Sequence, residues 1–319
     1  MNTKYFIAGG AGFIGSHMAK FLLKLTETKK VTIYDNFSSG DVKYLEDYIS
    51  NKKLSIIRAD ISELNRLEIE MNGHDVVYHF ASNPDIAKAA TEPDIDFWQG
   101  TYLTQNVIEA MRRCNIKKII YASGSGVYGE TGELPVFEAM GPLLPISTYG
   151  ASKLAGEALL CAYANMFNMC GLAFRFANVV GPFQTHGVGY DFLRRLKQNP
   201  GSLKILGDGT QSKAYIHVED IIKGIQIAQE KSTGCFNVYN LATQDYLTVT
   251  EIAEMVVHIL NLNNVNFEYT GGDRGWKGDV PVVRFNTELI RSLGWKPQRT
   301  SKEAMKDSLL KMKEELENY

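Results

Sequence analysis

Three evenly spaced glycines, Gly9, Gly12 and Gly15, constrain this chain more than any other feature. A short apolar run, Phe6-Ile7-Ala8, leads into them, and Met18, Phe21, Leu22 and Leu25 follow at helical spacing. That pattern predicts a strand, a tight turn and a helix. A residue without a Cβ can turn sharply, let a pyrophosphate reach the backbone, and let helix and strand pack closely. The helix N-terminus then offers free N–H groups and a partial positive charge to phosphates. A second strand, Val31-Thr32-Ile33-Tyr34, ends in Asp35. A carboxylate there accepts hydrogen bonds from an adenosine ribose 2′-OH and repels a 2′-phosphate, which favours NAD over NADP.

The rest of the chain extends this opening. Leu54 to Arg58 reads as a strand ending at Asp60, Leu64 to Met71 as a short helix, and Asp75 to Phe80 as a strand. A long helix over Pro93 to Cys114, a strand over Lys118 to Ala122, a helix over Tyr149 to Phe167 and a strand over Leu172 to Phe176 follow. Strand–helix alternation of this kind predicts an α/β fold: a Rossmann-type, doubly wound parallel sheet. After Gly181 the pattern loosens into glycine-rich turns and three further helical stretches. We read residues 1–180 as the dinucleotide-binding domain, with residues near 214–243 returning to it. Residues 181–319 form a smaller, partly interleaved substrate lobe. Ligands of such folds sit at the carboxyl ends of the strands, so the loops after Phe80, Ala122 and Phe176 are expected to line one cleft.

Composition excludes several classes of partner. Lys plus Arg is 34 against 36 for Asp plus Glu, which points away from nucleic acid and anionic membranes. No apolar run reaches the ~18 residues of a membrane span, and the N-terminus enters a strand without room for a signal peptide. Cys114, Cys161, Cys170 and Cys235 are scattered without metal-binding spacing. A reduced, cytoplasmic protein without a metal site is the expectation.

Tyr149 and Lys153 lie four apart at the start of a predicted helix, so both side chains reach one site. A free phenol is a poor base at neutral pH, but a nearby ammonium, and the charge of an oxidised nicotinamide, favour the phenolate. Such a phenolate takes a proton from a sugar hydroxyl as hydride leaves the same carbon.

Taken in order, the motifs resemble the extended short-chain dehydrogenase/reductase family. They are the glycine run, Asp35, Asp60-Ile61, Val127-Tyr128-Gly129, Tyr149-x-x-x-Lys153, Arg175-Phe176-Ala177-Asn178 and Tyr215 to Asp220. The resemblance covers nearly the whole chain and is strongest to the UDP-glucose 4-epimerase branch, on Gly-Asp-Arg-Gly-Trp-Lys-Gly-Asp-Val-Pro near the end. It implies bound NAD, with contacts from Gly9, Gly12, Phe13, Ile14, Gly15, Asp35, Asn36, Asp60, Ile61, Phe80, Ala81, Ser82, Tyr149, Lys153 and Phe176. It also implies a UDP-hexose substrate, oxidised transiently at C4 to a 4-keto sugar that accepts the hydride back on its other face. A homodimer built on the helices near Pro93–Cys114 and Tyr149–Phe167 is a further implication. Another nucleotide-sugar epimerase, acting on a uronic or N-acetylamino sugar, a 4-reductase, and a non-catalytic NAD-binding regulatory module fit the same motifs.

Several positions separate this chain from members of the family. Dehydratases of the family carry Asp-Glu, and sugar-acid decarboxylases Glu, immediately before the Val-Tyr-Gly motif, where this chain has Ser125-Gly126. The family's proton-relaying Ser or Thr falls on Gly124, flanked by Ser123 and Ser125, and both serines are candidate relay groups, Ser125 the favoured one. Gly100 stands where the family usually has Asn. On the substrate side the resemblance points to Asn178, Thr185, His186, Lys213, Arg274 and Lys277. Lys213 replaces an Arg and keeps the charge without the bidentate fork. Asp279 is expected to brace Arg274 or a backbone turn.

Overall fold

The computed structural model describes residues 2–317. Seven parallel strands form the central sheet: β1 (Thr3–Ala8), β2 (Thr28–Asp35), β3 (Leu54–Arg58), β4 (Val76–His79), β5 (Lys118–Gly124), β6 (Cys170–Phe176) and β7 (Phe236–Leu241). Their order is β7-β6-β5-β4-β1-β2-β3. The order reverses between β1 and β4, where Ala8 pairs with His79. The connections leave this point in opposite directions and open a crevice above the strand ends.

The sheet is covered on both faces, which is why its strands read as continuous apolar runs. Consecutive residues point to opposite sides. Ile7, Ile33, Tyr78, Ile120 and Phe174 share one core with Met18 and Leu22 of α1 (Phe13–Lys24) and Ile221 and Ile225 of α6 (Val218–Lys231). Phe6, Tyr34, Val77, Ile119 and Ala173 share the other with α2 (Leu64–Met71), α3 (Leu103–Arg113) and α4 (Thr148–Phe167). Phe6 and Ile7 are fully buried, each contributing on the order of 1.5–3 kcal/mol.

The expected helix over Pro93 to Cys114 is shorter and begins differently. A wide π-type turn occupies Phe97–Tyr102 and α3 follows. Gly100 explains this locally: a Cβ there would stand 2.6 Å from Ser152 Oγ, so the missing side chain lets the turn close against α4. Gly100 O accepts a hydrogen bond from Thr104 Oγ1 at 2.8 Å.

Helices α5 (Val188–Gln198), α7 (Val249–Ile259) and Ser301–Glu317 pack around a third core of Phe192, Leu196, Ile252, Val256, Met305 and Leu309. Short strand pairs, Asn178–Val180 with Tyr215–His217 and Pro135–Val136 with Arg284–Phe285, stitch this layer to the sheet. Among the described residues no helix is long and apolar enough to cross a membrane.

Candidate active site

A cleft of ≈ 1090 Å³ runs along the carboxyl ends of the strands. The loops after β4, β5 and β6 line it, as the strand pattern predicts.

At one end lies the glycine turn. Gly9 has φ +80°, and a Cβ there would meet the Ala81 backbone at 2.5 Å. At Gly15 a Cβ would collide with Gly9 O. Protein packing therefore demands both glycines. Gly12 differs: a Cβ would meet only Gly9 O, at 3.5 Å, and Gly12 lines the cleft. Packing within the protein therefore does not demand a glycine at this position. No side chain caps α1 at Gly12, so the first N–H groups of the helix face the cleft together with Phe13 and Ile14. A diphosphate fits this cradle.

Asp35 ends β2, 8% exposed, and accepts from the N–H of Ala11 (2.9 Å) and of Phe37 (2.8 Å). Burial raises its pKa and these two bonds oppose the rise. Each oxygen keeps a lone pair for a ribose hydroxyl. Asn36 donates to Asp60 at 2.8 Å, and Ser62 N–H to the other Asp60 oxygen at 2.8 Å. Burial pushes Asp60 up, but its bonds with Ser62 and Asn36 prevail and hold it below the usual carboxylate range. Asp60, Ile61, Phe80, Ala81, Ser82 and Phe176 complete the wall expected for a dinucleotide.

Tyr149 and Lys153 stand on the first turns of α4, whose N-cap Ser147 accepts from Gly150 N–H. The Lys153 ammonium lies 5.4 Å from the Tyr149 ring centre and 5.3 Å from that of Tyr121. It donates to Ala122 O, at the end of β5, over 2.8 Å. Burial pushes the Tyr149 phenol up to about 12, against a hydrogen bond with Ser82. Burial pushes Lys153 down to about 8, against the charge of Asp96. A bound cation would favour the phenolate further.

The two candidate relay serines part company. Ser123 is buried and donates to Glu157 Oε1 at 2.5 Å. Glu157 in turn takes a bidentate pair from Arg175, at 3.0 and 2.7 Å. Ser123 thus lines the cleft as Ser125 does, but its hydroxyl is engaged by a structural ion pair. Ser125 lines the cleft, and its hydroxyl makes no hydrogen bond within the described residues. Gly124 is extended, φ −163°, and a Cβ there would meet nothing within 4 Å. Any residue can adopt that backbone, so the glycine is not demanded by conformation.

On the substrate side, Asn178, Thr185, His186 and Lys213 line the cleft. Asn178 donates to Ala214 O at 3.3 Å, and Thr185 Oγ1 lies 2.8 Å from His186 Nδ1. Arg274 is not part of the cleft lining; it pairs with Glu130 and donates to Asp279 O at 3.3 Å. Lys277 is exposed and outside the cleft lining. Asp279 braces the turn by accepting from Gly275 N–H at 3.2 Å, and its other oxygen pairs with Lys213. Glu130, Glu157 and Asp96 are absent from the sequence-level candidates. No spacing pattern marks them, because each acts through a partner distant in the chain.

Comparison with known proteins agrees with this geometry. A solved structure of UDP-galactose 4-epimerase is 34% identical, covers 98% of this chain and 100% of its own, and superposes with a TM-score of 0.88. UDP-arabinose 4-epimerase 1 of Arabidopsis thaliana is 31% identical over 96% of this chain and 78% of its own length. UDP-glucose 4-epimerase of Corynebacterium glutamicum is 25% identical over 93% and 92%. The model of the NAD dependent epimerase/dehydratase family matches residues 5–242, which span the glycine turn, Asp35, the Tyr149–Lys153 pair and all seven strands except the first two residues of β1. The cradle, the acid at the end of β2 and the matched family agree: the chain belongs to the NAD dependent epimerase/dehydratase family, and NAD is its cofactor.

Proposed function

We propose that this enzyme inverts C4 of a UDP-linked hexose, interconverting UDP-glucose and UDP-galactose. The observation that carries this reading is the reacting end of the cleft: a phenol and an ammonium on α4 face loop 123–126, which bears no carboxylate. Dehydration needs an acid for the departing hydroxyl, and this loop has none. Epimerisation needs one group that exchanges a proton with the sugar oxygen and a chamber in which the oxidised sugar turns over. Relatives named for UDP-glucose, UDP-galactose, UDP-arabinose and UDP-N-acetylglucosamine support the UDP moiety and the C4 position.

NAD, when bound, supplies a reversible acceptor for the hydrogen on C4. The chain's own part is to place and move the proton. Tyr149 Oη takes it from the 4-hydroxyl and returns it after the sugar has turned. Lys153 holds positive charge beside the ring, anchored on Ala122 O. Ser125 passes the proton between sugar and phenol. Lys213 neutralises the diphosphate, joined by Arg274 once that side chain leaves Glu130, and Asp279 and Glu130 hold the two cations in its absence. Incubating the pure protein with UDP-glucose or UDP-galactose and separating the sugars tests the reading. Each is expected to yield the other, and failure of both, with conversion of UDP-arabinose, UDP-glucuronate or UDP-N-acetylglucosamine instead, would reassign the substrate.

Two predictions arise here. Lys213→Ala and Arg274→Ala are expected to raise KM for the UDP-sugar with little change in bound NAD. Loss of a charge-assisted hydrogen bond costs roughly 1.5–3 kcal/mol, on the order of tenfold or more in affinity. Steady-state kinetics with cofactor analysis checks this, and an unchanged KM in both variants would place the diphosphate elsewhere.

The relay loop gives the second. Ser125→Ala is expected to slow turnover clearly more than Ser123→Ala, where loss of the bond to the Glu157 carboxylate costs roughly 1.5–3 kcal/mol of stability instead. Gly124→Ser is expected to be neutral or mildly activating, since its Cβ enters open space on an unstrained backbone. Full activity in Ser125→Ala would remove Ser125 from the relay.

A further inference from the structure

Asp96 is 1% exposed and lies at the start of the wide turn that precedes α3. One carboxylate oxygen accepts from Asn83 Nδ2 at 2.9 Å, the other from Thr148 Oγ1 at 2.7 Å. Asn83 belongs to the loop after β4, one residue beyond Ser82, and both line the cleft. Thr148 is the first residue of α4 and the direct neighbour of Tyr149. Four residues along each element the contact repeats, where Gly100 closes against Ser152. Asp96 is therefore the joint at which the cleft loop, the wide turn and the catalytic helix meet, although it does not itself line the cleft.

We propose that Asp96 is a positioning residue of this site: its carboxylate clamps the first turn of α4 to the loop after β4, and its charge sets the pH range in which Tyr149 and Lys153 work. The proposal rests on Tyr149 being the acid–base group. The groups facing the pair from the packed elements are His79 of β4, Tyr121 of β5, Ser82 of the loop and Asp96. Burial and the Lys153 charge keep His79 neutral, and burial keeps Tyr121 protonated. Asp96 is thus the anion acting on both groups. Its charge raises Tyr149, opposing the phenolate, and raises Lys153, opposing the loss from burial. Removing the charge lowers both. Both limbs of activity, set by these two groups, therefore move to lower pH together.

Asp96→Asn removes the charge and keeps the shape, whereas Thr148→Val removes the clamp and keeps the charge. In Asp96→Asn we expect both limbs of the kcat/KM profile to fall by about one pH unit. The ultraviolet signature of the Tyr149 phenolate, taken as the difference from the matching Tyr149→Phe protein without substrate, moves the same way. In Thr148→Val we expect kcat to drop about tenfold or more through misplacement of Tyr149, with KM and both limbs unchanged. Unmoved limbs and an unmoved phenolate signal in Asp96→Asn overturn the proposal, as does full kcat in Thr148→Val. Should Asp96→Asn fail to fold, Thr148→Val decides alone. Retained activity in Tyr149→Phe would instead sink the acid–base reading beneath it, whereas a dead Tyr149→Phe with an inert Asp96→Asn sinks this proposal only.

Discussion

Tyr149→Phe is expected to abolish turnover while leaving the fold and the bound NAD intact. The ring still packs against Lys153, and only the proton-carrying oxygen is lost. Removing a general acid–base group costs about 10²–10⁴-fold in rate. Single-turnover kinetics on protein whose melting temperature matches wild type checks this. A variant retaining more than a tenth of the activity would show that another group moves the proton.

Glu157→Ala is expected to produce the largest loss of stability. Glu157 and Arg175 are 5% and 4% exposed and meet at 2.7 Å beneath the relay loop. Burial alone would push the Arg175 guanidinium down, but the hydrogen bonds and charge of Glu157 carry it well above its ordinary value. Truncating Glu157 leaves a buried cation with the Glu138 carbonyl, at 3.2 Å, and the Tyr128 ring, 4.7 Å from its centre, and strands the Ser123 hydroxyl. Breaking one side of such a pair costs roughly 3–5 kcal/mol, a fall on the order of 10 °C in melting temperature. Replacing both partners together, Glu157→Leu with Arg175→Met, is expected to recover much of it. A shift of under two degrees in Glu157→Ala, measured by thermal unfolding, would mean that water reaches the guanidinium.

Local features were legible and paired ones were not. The glycine turn, the acid ending β2 and the helix carrying Tyr149 and Lys153 each leave a short-range trace, either a fixed spacing or an apolar period. Helix Leu64–Met71 falls where its periodicity puts it. The start of α3 does not, since what opens the wide turn at Gly100 is the side chain of Ser152 on another helix. The same reason hides the carboxylate contacts. Ser123 meets Glu157, Thr148 meets Asp96, and Lys213 meets Asp279 across 34, 52 and 66 residues. No periodic pattern records a partner at that separation. The choice between Ser123 and Ser125 turns on one such contact, and the freedom at Gly124 on a backbone angle that a glycine in a sequence leaves open. The substrate cations show the same limit. Arg274 and Lys277 share one glycine-rich segment, yet Glu130 holds the first while the second faces solvent.

The central claim is that C4 of a UDP-hexose is oxidised and restored within one closed cleft. Incubation of the pure protein with UDP-glucose deuterated at C4 tests it most directly, the product being analysed by mass spectrometry and proton NMR. We predict UDP-galactose that keeps the deuterium at C4, with none lost to water. An unchanged substrate, or a C4 epimer carrying solvent hydrogen, would contradict the account.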